Sequence, residues 1–161
     1  MLGHLYSTNE QRGIFKTNNG GKTWEKKLEI DEKTGIIDID IDPENFNIQY
    51  ASSWEKERAS WNFNGNGSKS GIYKSTDSGE NWELISTKES GFPSNSGVGR
   101  IGLSVYDKNT VYAVVDNQSR RLKEKEVKKN AIDKAVFEKM SIKDFMKLND
   151  KLLNDFLENN G

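Results

Sequence analysis

Two stretches of the chain alternate strictly between apolar and other residues. They are Ile37-Asp38-Ile39-Asp40-Ile41-Asp42 and Ile101-Gly102-Leu103-Ser104-Val105-Tyr106, the second displaced by 64 positions. Period-two alternation predicts a strand with one face covered and the other in water. On that reading the isoleucines point inward and Asp38, Asp40 and Asp42 lie on the wet face. Each stretch is followed by a short turn and a further β-rich run, Ile48-Gln49-Tyr50-Ala51-Ser52 and Thr110-Val111-Tyr112-Ala113-Val114, now displaced by 62 because the second turn is two residues shorter.

A second self-similarity interleaves with the first. Gly13-Ile14-Phe15-Lys16-Thr17-Asn18-Asn19-Gly20-Gly21-Lys22-Thr23-Trp24 returns 58 positions later as Gly71-Ile72-Tyr73-Lys74-Ser75-Thr76-Asp77-Ser78-Gly79-Glu80-Asn81-Trp82. Each copy predicts strand, tight turn, strand. The β-branched and aromatic residues suit a pleated surface. Asn, Asp and Gly supply the left-handed backbone angles of the turn. The shared motif is Ser/Thr-x-Asp/Asn-x-Gly-x-x-Trp, met by Thr17, Asn19, Gly21, Trp24 and by Ser75, Asp77, Gly79, Trp82. Similarity at a fixed offset marks a repeat architecture, and such units usually need about three or more copies to bury their apolar faces. In chain order the strands read third, fourth, first, second, third, fourth, first, second. One four-stranded unit is complete, from about Gly35 to Ser86.

The motif resembles the Asp-box, or BNR repeat, of β-propellers in sialidases, xyloglucanases, sortilin-like proteins and many exported bacterial proteins. The resemblance implies an all-β partial propeller of about two four-stranded blades, followed by a helical C-terminal extension. It also implies that the eight motif residues are structural, with the carboxylate bonding turn amides and the Trp packing between blades. Asn19 departs from the pattern by replacing the Asp. Function sits on sites grafted onto folds, so the boxes name no reaction.

Composition bounds the alternatives. The 161 residues carry 24 Lys and Arg against 25 Asp and Glu, a net charge of −1. That balance provides no basic footprint for nucleic acid. Cysteine is absent, which excludes disulfides and Cys-based zinc sites. No apolar run approaches the ~20 residues of a membrane-spanning helix, and the first residues have no basic-then-apolar signal pattern. The expected organisation is a propeller part over 1–118 and a charged linker with helical extension over 119–161. The run from Arg120 to Lys129 is interrupted by Glu124 and Glu126 and predicts a solvated segment. Ser141 with Asp144 forms a capping-box pattern. Ile142, Phe145, Leu148, Leu152 and Phe156 make one apolar stripe, or Asn149-Asp150 starts a second helix and splits it; Asn159-Asn160-Gly161 is a helix stop. In propellers of this resemblance such a tail is an insertion, after which the chain re-enters the wheel. The expectation is therefore a piece of a longer, exported protein.

Candidate chemistry is sparse. Counted as an EF-hand from Asp38, the sixth and twelfth places hold Pro43 and Gln49 instead of Gly and Glu, so the calcium-loop pattern fails. His4 is the only histidine, which rules out a three-His zinc site, and no nucleophile-elbow motif accompanies it. No cofactor or metal site is expected. The segment from Trp54 to Gly67 is long for a hairpin connection, and long loops are often functional. It interleaves Trp54 and Trp61 with Glu55, Glu57 and Arg58, which suits a sugar or a peptide side chain. A packing alternative has both tryptophans against the sheet, with Arg58 bridging Glu55 or Glu57. Arg100 and Asp116 complete the candidate ligand site. The expected function is a sortilin-like binding or scaffold module for protein, peptide or glycan. Its other partners would be further blades, or copies of itself at open sheet edges. The alternative is part of a glycoside hydrolase, which needs two carboxyl groups flanking the bond; nothing in the sequence pairs Glu55, Glu57 and Asp116.

Overall fold

The computed structural model describes residues 1–119, 132 and 134–160. The chain forms two compact units, Met1–Arg120 and Arg121–Gly161. The expected charged segment at 120–129 and Gly161 of the helix stop lie outside the described residues.

The first unit is built from small antiparallel sheets. Strands β1 (Ile14–Lys16) and β2 (Glu25–Leu28) pair as a hairpin. Strands β3 (Thr34–Ile41), β4 (Gln49–Glu55), β7 (Ile72–Ser75) and β8 (Glu83–Leu84) form a four-stranded sheet in that order. Between β4 and β7 a further hairpin, β5 (Glu57–Ala59) with β6 (Asn62–Asn64), occupies the segment that the sequence leaves as a loop. Strands β9 (Val98–Asp107) and β10 (Thr110–Asn117) close the unit as a long hairpin. Among the described residues there is one four-stranded sheet, over the span that the two interleaved repeats predict.

The four-stranded sheet is covered on both faces. Tyr50 and Ile72 point to one side and bury Val98 and Ile101 of β9, with Leu103, Val105, Val111 and Val115 packed around them. Ala51, on the opposite face, joins Ile14 and Ile36, against which Leu28, Ile30 and Trp82 pack. Alternation along β4 thus feeds two apolar cores.

Both Asp-box turns close alike. Thr17 Oγ1 accepts from Asn19 N at 3.3 Å and Gly21 N at 2.9 Å; Ser75 Oγ accepts from Asp77 N at 3.3 Å and Gly79 N at 2.9 Å. Asn19 Oδ1 accepts from Thr23 N at 3.0 Å, and Asp77 Oδ1 from Asn81 N at 2.9 Å. Gly21 and Gly79 hold φ of 91° and 81°, a region costly for any residue with a Cβ. Each indole lies over its own turn glycine: Cζ2 of Trp24 and of Trp82 would be 3.8 and 3.5 Å from a Cβ placed there. The difference is burial. Trp82 packs against the core under β1–β2, whereas Trp24 is 58 % exposed.

The facing of β3 differs from the alternation reading. Ile39 and Ile41 are exposed, while Asp42 is fully buried and Asp38 and Asp40 are half-buried. A register shift between Ile36 and Asp38, a bulge, puts Ile36, Ile39 and Ile41 on the Ala51 face, where only Ile36 is covered, and Asp38 and Asp40 on the Tyr50 face, toward β9. There they bridge. Asp38 accepts from Ile39 N at 3.0 Å and Leu103 N at 2.9 Å. Asp40 accepts from Ile41 N at 2.9 Å and Val105 N at 2.7 Å. Two carboxylates thus satisfy amides along the facing edges of two separate sheets.

The second unit contains α1 (Lys134–Glu138), α2 (Ile142–Phe145) and α3 (Asp150–Asn160). Ser141 caps α2 by accepting from Asp144 N at 3.2 Å, and Asn149 Oδ1 accepts from Leu152 N at 2.8 Å at the start of α3. The stripe is therefore split, and Ile142 stands exposed. Phe137 stacks on Phe156 at 4.0 Å and meets the edge of Phe145 at 5.9 Å. No helix among the described residues is long and apolar enough to cross a membrane.

Candidate binding site

Trp54 ends the regular part of β4, where the chain leaves the four-stranded sheet for the β5–β6 hairpin. Its indole N–H donates to the Gly65 carbonyl at 2.7 Å, which ties the far end of the hairpin back to the sheet. Phe63 presents its ring edge to Trp54 at 6.1 Å. Two cations lie over the Trp54 ring, Lys56 Nζ at 5.7 Å and the Arg100 guanidinium at 5.9 Å from its centroid. Both fall within the range where the ring quadrupole attracts a cation. The Arg58 guanidinium lies 5.5 Å from the Phe63 ring centroid and 5.8 Å from that of Tyr6.

Asp116 joins the same end. A Cβ on Gly99 would lie 2.7 Å from Asp116 Oδ2 and 3.0 Å from the Gly65 carbonyl oxygen. Glycine at 99 is what lets β9, β10 and the hairpin base approach. Trp54, Arg100 and Asp116 therefore gather around Gly65 and Gly99, though Arg100 and Asp116 stand on different strands.

The other candidates separate. Arg58 bridges neither Glu55 nor Glu57, contrary to the packing alternative. Lys69 N donates to the Glu55 carboxylate at 2.9 Å, and Glu57 pairs with Lys33 at 2.9 Å. Asp116 accepts from Gln118 Nε2 at 2.8 Å. The three carboxylates thus have three different partners. Trp61 does not pack on the sheet. It is 87 % exposed at the hairpin tip and lines, with Tyr6, Ala59 and Ser60, a shallow cavity of about 360 Å3.

Tyr6, Lys56 and Phe63 belong to this face and were not singled out from the sequence. Lys56 and Arg58 stand two apart in an extended segment, which was a readable signal for a shared side. Tyr6 carried none, since it comes from a segment without regular structure far away in the chain. Among the described residues no group of three or more His, Asp or Glu side chains is arranged to hold a metal ion. No protein-family model, no curated protein and no solved structure matches this chain.

Proposed function

We propose that this chain is part of a sortilin-like Asp-box β-propeller whose role is to bind a protein, peptide or glycan at the Trp54–Trp61 end. Three features support the propeller reading. The turns at Asn19 and Asp77 share their hydrogen bonds. The sheet order β3-β4-β7-β8 is that of one blade. The β1–β2 and β9–β10 hairpins flank it as the outer half of one neighbour and the inner half of the next. On this reading the parent protein is exported, and other blades cover the outer faces.

The observation that carries the binding role is Trp61. A large aromatic ring left almost wholly in water, on a hairpin anchored by the Trp54–Gly65 bond, has no packing task. Exposed aromatics beside planar cations are what interfaces use as anchors. The test is to titrate the full chain with a panel of plant and bacterial-wall oligosaccharides and with a displayed peptide library, reading tryptophan fluorescence. Trp61→Ala is expected to weaken the selected ligand at least tenfold with an unchanged melting temperature. Wild-type binding by Trp61→Ala would refute the site, and binding by no member of either set would refute the role. Turnover of aryl-glycosides, lost on mutating Glu55, Glu57 or Asp116, would move the assignment to a glycoside hydrolase.

A further inference from the structure

Beside this face lies a smaller cleft of about 160 Å3, between the N-terminal segment and the β5–β6 hairpin. Its wall includes Ser7, Thr8, Arg12, Lys33, Lys56 and Arg58, and the only acid lining it is Glu57, already paired with Lys33. Arg12 is only 3 % exposed. Its guanidinium donates to the carbonyls of Lys33, Ser7 and His4, and its buried Nε has no partner among the described residues. Asp31 is close enough to act on Arg12.

Lys56 is the unexplained group. It is 7 % exposed, and among the described residues its ammonium makes no hydrogen bond and no ion pair. Only the Trp54 ring faces it. Burial, followed by repulsion from Arg12 and Arg58, lowers its pKa, and no carboxylate offsets them. Its stem is buried, while its ammonium is not sealed off and is left to the cleft that Lys56 lines. Lys56 thus faces Arg12 and Arg58 with no carboxylate of its own among the described residues. At about 160 Å3 the cleft has room for a group as compact as a tetrahedral oxyanion together with water.

We propose that this cleft binds a compact tetrahedral oxyanion, a phosphate or sulfate group, with Lys56 and Arg58 as its charge partners. The inference does not depend on the propeller reading, since it rests on the local arrangement of charge. Arginine and lysine are the usual partners of such groups, Arg through a planar fork and Lys as a point charge.

The experiment compares thermal melting of the full chain in sodium phosphate, sulfate, acetate and chloride at matched ionic strength, followed by amide NMR titration with each anion. Phosphate or sulfate is expected to raise the melting temperature above chloride and acetate, and the stronger of the two identifies the ester. Lys56→Met is expected to melt no lower than wild type in chloride, since it keeps the packed stem and removes a cation repelled by Arg12 and Arg58, and to bind the oxyanion at least tenfold more weakly. Arg58→Gln is exposed, keeps the fold, and is expected to weaken binding severalfold. Equal melting in all four salts would overturn the proposal. Acetate matching phosphate and sulfate would do the same, as would wild-type affinity in Lys56→Met. Should Lys56→Met fail to fold, unchanged affinity in Arg58→Gln overturns it.

Discussion

Asn19 and Asp77 do the same job with different chemistry, and that difference can be titrated. Both side chains accept the amide four residues on. Asp77 also accepts from Asn81 Nδ2 at 2.7 Å and from the Ser75 hydroxyl at 2.8 Å. These bonds, led by the Asn81 amide, hold its pKa at about 2 against an ordinary 3.8. A carboxyl depressed in the folded state stabilises above its unfolded pKa, and the benefit is lost as pH falls through the folded value. The second turn is therefore expected to loosen between about pH 4 and pH 2, while the first, with an uncharged amide, does not respond. Hydrogen exchange of the Thr23 and Asn81 amides reads this directly: only Asn81 should lose protection on acidification, and Asp77→Asn should abolish the difference. The turn glycines make a second residue-scale prediction. Gly79→Ala places a Cβ at a φ of 81° and is expected to cost about 1–2 kcal/mol. Urea unfolding measures it, and a cost below experimental error would show that the turn relaxes to another type.

Between elements, the notable device is the pair of aspartates that joins β3 to β9. An open strand edge exposes unpaired amides and invites unwanted pairing. Here Asp38 and Asp40 each give one oxygen to an amide of their own strand and the other to an amide of β9. Charge-assisted bonds of this kind contribute about 1.5–3 kcal/mol. Asp40→Ala is expected to destabilise the first unit by that order in urea unfolding, and Asp40→Asn, which keeps an acceptor, by less. Equal stability of the alanine variant and wild type would show that water replaces the carboxylate at no cost. This clasp also shows what the sequence conceals. Alternation in Ile37–Asp42 correctly marks a strand, but it does not say which side is covered: β9 covers the side of Asp38 and Asp40, and the side of Ile39 and Ile41 is left open. The turns were legible because Thr17-x-Asn19-x-Gly21 and Ser75-x-Asp77-x-Gly79 make their bonds within five residues. The β5–β6 hairpin was not, because three-residue strands such as Asn62–Asn64 are too short for alternation to be told from chance. The candidate site was half legible: Trp54, Arg58 and Arg100 are candidates that the sequence offers, whereas Tyr6 reaches Arg58 from a distant segment without any pattern of its own. Helix α1 is not legible in the tail, because its five residues are too few for a helical period to show.

At the scale of the whole first unit, the repeat itself shows what is left uncovered. Ile39 and Ile41 correspond, at the 64-residue offset, to Leu103 and Val105. Leu103 and Val105 pack against the core between the four-stranded sheet and β9–β10, whereas Ile39 and Ile41 are 48 % and 36 % exposed. The β1–β2 hairpin is too short to cover them. On the far side, Tyr112 and Val114 of β10 are also exposed, at 63 % and 78 %. The unit thus presents an apolar strip on each of two opposite ends, and two unlike surfaces that fit each other generate head-to-tail association. The match is imperfect in one telling respect. Gly102 and Ser104 stand where Asp38 and Asp40 would be needed to clasp the next strand, so a copy docked there gains apolar burial without the carboxylate bridges. Association is accordingly expected to be weak, reversible and dependent on concentration. Sedimentation velocity over a hundredfold range of protein should show the weight-average mass rising above that of a monomer. Ile41→Lys, which puts a charge on an already exposed strand position, should keep the fold and restore the monomer. A wild-type chain that stays monomeric across the range and melts in one cooperative step would mean that these strips are tolerated in water, and that the sheets are stable without further cover.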